Sequence, residues 1–201
     1  VNAADYNVPQ NRKRVILVGI RRKSFKDIDI QKMLDDFYKQ ILPSHKCENV
    51  LTVKDAIGML PPLEPYWDEE HHSKRKSHSV PNCDVTWHVP RYNNLRDMDT
   101  FKLLAEDLES GKNEYDSKKI AELYEKKVGA KSPIHRYHVL NPNEPSTTII
   151  AHLHKDGNRF IHYDSKQART ITPREAGLLQ SFDADFEFLG SRGNVYEMIG
   201  N

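Results

Sequence analysis

Gln10, Arg12, Lys13 and Arg14 set three cations and a neutral amide in one short stretch. Alternation along an extended chain puts Arg12 and Arg14 on the same face, where two guanidiniums can grip a phosphate bidentately while Gln10 contacts a base or the backbone. The same residues also read as a solvated basic edge that resists aggregation. A second group, Arg169, Thr172, Arg174 and Glu175, surrounds a helix start. Thr172 and Glu175 form a capping box with Pro173 at the first helical position, and such a start offers free N–H groups to an anion. The alternative is a well-capped helix with surface arginines. Lys74, Arg75 and Lys76, with His71, His72 and His78, suit a loop over phosphates that brings affinity without specificity, or a plain solvated loop. His88, Arg91, Tyr92, Asn93, Asn94 and Arg96 combine guanidinium, amide and aromatic groups, the chemistry that reads purine edges in a major groove; a helix-entry turn is the competing reading. His152, His154, Lys155, Asn158 and Arg159 flank an expected hairpin tip, where polar residues are the default. The spacing of His71, His72, His78 and Cys83 lacks the two close pairs of a zinc site, so no metal is expected.

The elements that must position these groups follow from periodicity. Residues 1–22 predict a β-hairpin, with Asn7, Pro9 and Asn11 at its turn and β-branched residues from 14 to 20. Met33, Leu34, Phe37, Tyr38, Ile41 and Leu42 recur at helical spacing until Pro43, and Thr52 with Asp55 caps a short helix before Pro61. Residues 61–96 read as loop. Helices are predicted over 97–109 and 116–128, the second closed by Gly129. Residues 134–164 favour strands and predict a small sheet, and the last helix opens at Thr172. The expected fold class is α+β: a short β-hairpin, then a small mixed α/β domain with irregular loops.

Composition narrows the field. With 30 Lys+Arg against 29 Asp+Glu the net charge is +1, so any nucleic-acid footprint must be local rather than a property of the whole surface. A hydrophobic content of 37% over 201 residues supports a packed core. Two cysteines, Cys47 and Cys83, are too few for a disulfide framework. The apolar run from Val15 to Val18 is far short of a membrane span and no signal-peptide pattern opens the chain, which predicts a soluble cytoplasmic protein without membrane partners. Val1 in a strand-like run and the bare Gly200-Asn201 end suggest a fragment.

Residues 2–19, with Gln10, Arg12 and Arg14 in Q-x-R-x-R spacing, closely resemble the eighth motif of DNA (cytosine-5) methyltransferases. Residues 172–176 and 180–186 are similar to the ninth motif of that family, and 199–201 to the opening of its tenth. Residues 53–63, 88–91 and 136–149 resemble stretches of bacterial members, in which methylation accompanies restriction. The blocks keep the family's order from one end of the chain to the other.

The resemblance implies an enzyme that moves a methyl group from S-adenosylmethionine to C5 of cytosine in double-stranded DNA, and implies that this chain is its carboxy-terminal part. The family's cofactor loop, its Pro-Cys nucleophile and its Glu-Asn-Val glutamate have no counterpart here. Neither cysteine follows a proline, and Glu48-Asn49-Val50 lies after the eighth motif, whereas the family places its glutamate before it. The chain alone is therefore expected to be inactive and to need an amino-terminal catalytic half. Residues 1–23 would end the catalytic domain, 24–165 form the target-recognition domain and 166–201 return to the catalytic domain. Gln10, Arg12 and Arg14 would face the cleft, the two arginines near the phosphate of a flipped nucleotide. Arg169, Thr172, Arg174 and Glu175 would organise the recognition region, the arginines pairing phosphates or carbonyls. Asn201 would approach the cofactor. DNA contacts are expected from Arg12, Arg14, Lys74, Arg75, Lys76, His88, Arg91, Tyr92, Asn93, Arg96, Arg169 and Arg174. The competing function is a non-catalytic interaction module, or the recognition subunit of a split methyltransferase. An uncovered hairpin edge predicts self-association.

Overall fold

Side-chain caps set where the helices begin. The computed structural model describes residues 1–21, 23, 25, 28–68, 76–130, 137–155 and 157–201. Helix α1 (Ile30–Asp36) starts at Asp29, whose carboxylate accepts from Lys32 N, and continues through a π-helical stretch (Phe37–Ile41) into a last turn, α2 (Leu42–Ser44). Thr52 and Asp55 open α3 (Val53–Ile57) with a reciprocal capping box. Asn94 and Asp116 cap α4 (Leu95–Ser110) and α5 (Ser117–Val128), and each of these ends on a left-handed glycine, Gly111 and Gly129. Thr172 and Glu175 form the second capping box, at the start of α6 (Pro173–Leu179), and Ser191 caps α7 (Arg192–Gly200). Each such cap stabilises its helix by about 1 kcal/mol. Helix α7 escapes sequence reading because Gly193 and Asn194 in its first turn are poor helix formers.

The expected β-hairpin and mixed α/β sheet are not formed: the described residues are helix-rich and contain no strand, only isolated bridges such as Asn2 to Lys13, Gln10 to Ser146 and Val139 to Ile161. A strand exists through its ladder, and here side chains occupy the ladder positions. Ile149 N donates to Gln10 Oε1 and Ile149 O accepts from Arg12 Nη1. Tyr38 Oη accepts from Val18 N and donates to Ile16 O. Val15 and Leu17 are 86% and 90% exposed, so their β-branched or bulky side chains meet no neighbouring strand. Of the span 134–164 where strands were expected, residues 134–136 and 156 lie outside the described residues, and the described ones hold two 3-10 turns instead, Ala151–His154 and Gly157–Arg159.

The main core gathers α3, α6 and α7 around Ile149, Leu153, Phe160 and Ile171. A second cluster packs Phe101 and Leu104 of α4 on Tyr137 and Ile161. Helix α7 lies directly on the Ala151–His154 turn: a Cβ at Gly200 would stand 2.3 Å from Ala151 N and from Ile150 C, so only glycine permits this approach. Among the described residues no helix is long and apolar enough to cross a membrane.

Candidate nucleic-acid interface

Gln10 is fully buried and acts as a tie between distant segments. Its Nε2 donates to Leu179 O at the end of α6 and to Gln180 Oε1, each at 3.1 Å, while its Oε1 accepts from Ile149 N. Asn11 N donates to Ser146 O and Ser146 N to Pro9 O, fixing the backbone on both sides. Two residues on, Arg12 is half-buried with Nη1 on Ile149 O at 3.0 Å, and Arg14 is exposed. Partial burial, and then the Arg14 charge beside it, lower the Arg12 pKa from its ordinary value. Arg12 and Arg14 form no ion pair with a carboxylate among the described residues. Two cations held close without a counter-charge are what an anion would relieve.

Behind this segment lies a buried polar network that fixes the start of α6. Arg169 spans both oxygens of Glu175, Nη2 to Oε1 at 2.6 Å and Nη1 to Oε2 at 2.7 Å, and also donates to Gln167 Oε1. Glu175 Oε2 in turn accepts from Thr172 N. Burial alone would raise the Glu175 carboxyl, but the Arg169 charge and its hydrogen bonds outweigh this and hold it below the ordinary carboxylate range. His162 Nε2 lies 3.6 Å from Glu175 Oε1, yet burial and then Arg169 push its pKa down to about 3, so the imidazole is neutral and this contact is not an ion pair. His162 Nδ1 accepts from Asp164 N. His88 is buried against Thr172 Oγ1 and Pro61 O, and burial lowers its pKa too.

Arg174 is enclosed in the same way. Its guanidinium donates to the carbonyls of Thr86, Asp183 and Phe186 and to Thr86 Oγ1, with Phe188 5.4 Å beneath it. Arg91 donates to Leu153 O and stacks 4.9 Å over the Tyr196 ring. Ser77 Oγ donates to Arg91 O and accepts from Asn93 N, which draws residues 76–78 alongside 91–93.

The residues expected to contact DNA thus divide by where their polar ends point. Arg14, Lys76, Tyr92 and Arg96 face solvent, with Arg12 half-buried beside Arg14, and Arg96 shares its charge with Asp97 at 3.3 Å. His88, Asn93, Arg169 and Arg174 are buried, and Arg91 is turned inward. Arg12 and Arg14 lie on one segment, and Ser77 ties the segment of Lys76 to that of Tyr92. Lys74 and Arg75, like His71 and His72, lie outside the described residues. Asn201 is exposed and its N–H is taken by Glu197 O. Among the described residues no cluster of His, Cys, Asp or Glu is arranged to hold a metal.

Sequence reading missed His162, Gln167 and Thr86. Their partners lie on distant segments, as in Thr86 with Arg174 or Gln167 with Leu63, and no local pattern marks such contacts.

A family model described as C-5 cytosine-specific DNA methylase matches residues 1–201. Curated proteins to which the chain is similar over its whole length include type II methyltransferase M.Bpa9945I of Bacillus paralicheniformis, 28% identical, M.NgoFVII of Neisseria gonorrhoeae, 30%, and M1.HphI of Haemophilus parahaemolyticus, 29%. It covers 46%, 44% and 42% of their respective lengths, a little under half of each.

Proposed function

The chain belongs to the C-5 cytosine-specific DNA methylase family, and we propose that it is the target-recognition portion of a bacterial, cytoplasmic enzyme that transfers a methyl group from S-adenosylmethionine to C5 of cytosine in duplex DNA. One observation carries this reading: buried Gln10 anchors a segment that carries half-buried Arg12 and exposed Arg14, neither with a carboxylate partner among the described residues. A phosphate of the target strand would supply the missing counter-charge. Arg169 and Arg174, enclosed by Glu175 and by carbonyls, would brace this surface from behind, while Lys76, Tyr92 and Arg96 would add contacts along the duplex.

Asn201, the residue expected to approach S-adenosylmethionine, does not by itself fit that group. Asn201 is a lone exposed amide, not a nucleoside cradle, and Cys47 and Cys83 are not set in a Pro-Cys pair. Methyl transfer would therefore need an amino-terminal catalytic half carrying the cofactor loop and nucleophile, and the exposed apolar residues 15–18 offer a face on which that half would rest.

The test is methyl transfer from labelled S-adenosylmethionine to duplex DNA, with this chain alone, with a separately expressed amino-terminal half, and with both. Activity in the mixture only is the expected result. Activity of this chain alone would overturn its assignment as a recognition portion. Silence of the mixture with both halves folded would favour a non-catalytic interaction module.

A further inference from the structure

Residues 137–140 and 158–161 are laced together by three backbone hydrogen bonds: His138 N to Asn158 O, Ile161 N to His138 O and Leu140 N to Ile161 O, each 2.9 Å. Between this pair of segments, residues 147–150 and α5, the chain leaves an open cavity of about 590 Å³. That size suits a small-molecule ligand or one unit of a polymer. Its apolar lining is buried or half-buried, made by Ile120, Tyr137, Ile150 and Phe160. Its polar lining is exposed at Arg159, His138, Thr147 and Ser117 and half-buried at Thr148, and so forms the rim.

The rim charge is uncommitted. Arg12, Arg91, Arg169, Arg174 and Arg192 each donate to a carbonyl or carboxylate of the protein. Arg159 is exposed and, among the described residues, forms neither a hydrogen bond nor an ion pair through its guanidinium. The amino end of α5 is not the source of attraction, because Asp116 already caps it with a carboxylate that accepts from Lys118 N and Lys119 N. His138 is reached by solvent yet ringed by protein atoms. Burial, and then the Arg159 charge, lower its pKa, so at neutral pH it adds a single N–H and no competing cation.

The cavity is joined to the Arg12 segment. Thr148 on its wall donates to Asn11 O at 2.6 Å, and Arg12 Nη1 reaches Ile149 O on the same short stretch. A polyanion lying along residues 11–14 would run onto this rim. A cation and hydroxyl donors above an apolar floor are the two chemistries of a nucleotide unit, whose phosphate is charged and whose sugar is largely not.

We propose that this cavity is a phosphodiester subsite, seating one backbone phosphate of bound DNA on Arg159, with Thr147 and His138 donating to it and the sugar resting over Ile150 and Phe160. The proposal rests on the DNA-binding reading above and adds the site of one contact. Arg159 supplies affinity and register; it reads no base.

Binding of the chain to a labelled duplex is measured over a series of salt concentrations, for the wild type, Arg159→Ala and Arg159→Lys. The slope of log K against log salt should fall in magnitude by about 0.9, one phosphate, in Arg159→Ala and be retained in Arg159→Lys. In parallel, the His138 ring resonances should shift when DNA is added to the wild type and stay still in Arg159→Ala. Salt-dependent binding whose slope ignores Arg159→Ala, or unmoved His138 resonances in the wild type, overturns the subsite and leaves the DNA-binding reading standing. A wild type that binds no DNA overturns both.

Discussion

Arg169 and Glu175 meet face to face in the interior, two parallel hydrogen bonds of 2.6 and 2.7 Å between side chains that are each 1% exposed. The same carboxylate accepts from Thr172 N, so the ion pair and the cap of α6 are one device. Two charges taken out of water are tolerated only while each completes the other.

Removing one partner should therefore cost far more than removing both. Glu175→Gln is expected to lose about 3–5 kcal/mol of stability, read from urea denaturation. The double variant Arg169→Met with Glu175→Gln should lose less than Glu175→Gln alone. Equal losses would mean that the pair is not the source of the effect.

Acid should destabilise the protein before its exposed carboxylates titrate. His162 resists protonation in the folded chain until about pH 3, whereas in the unfolded chain it titrates near 6.5. As pH falls below 6.5 the unfolded state takes up a proton that the folded state refuses, so stability is greatest above that value and is lost toward pH 3. His162 alone accounts for about 2 kcal/mol between pH 7 and pH 5. Glu175, lowered in the fold, acts in the same direction below its ordinary carboxylate range. Denaturation midpoints at pH 7, 6 and 5 check this, and His162→Gln should flatten the dependence.

Gln10→Ala should reach both stability and binding. It leaves Ile149 N and Leu179 O without their partner in a buried setting, a loss of about 2–4 kcal/mol. Because Gln10 fixes the segment carrying Arg12, DNA affinity should fall under conditions where the variant remains folded. Thermal melting and duplex binding at low temperature separate the two effects.

Gly200→Ala should loosen α7 from the Ala151–His154 turn, since the added Cβ meets backbone rather than a yielding side chain. The expected loss is about 1–3 kcal/mol by overpacking. Hydrogen exchange at Val195 and Ile199 should quicken more than exchange in α4.

Helices were legible wherever a cap and a periodic apolar face coincided. The Thr52–Asp55 and Thr172–Glu175 boxes and the glycine ends of α4 and α5 are local signals, and all of them form. The β-branched runs misled because strand propensity says that a residue suits a ladder, not that a ladder exists. At Ile149 the ladder positions went to Gln10 and Arg12, residues 139 and 137 positions away in sequence. The candidate site was half legible. Arg12 and Arg14 were legible as a pair of cations two residues apart, but nothing local in the sequence tells Arg169 and Arg174, turned inward, from Arg159, turned out.

DNA recognition by this chain is tested by equilibrium binding to duplex DNA, in the presence of excess RNA, for the wild type and the Arg12→Ala, Arg14→Ala double variant. Salt-dependent binding that survives RNA competition is expected, with a slope lower in magnitude by about 0.9 for each arginine that meets a phosphate. Binding that RNA abolishes, or a double variant that binds DNA as the wild type does at every salt concentration, would contradict it.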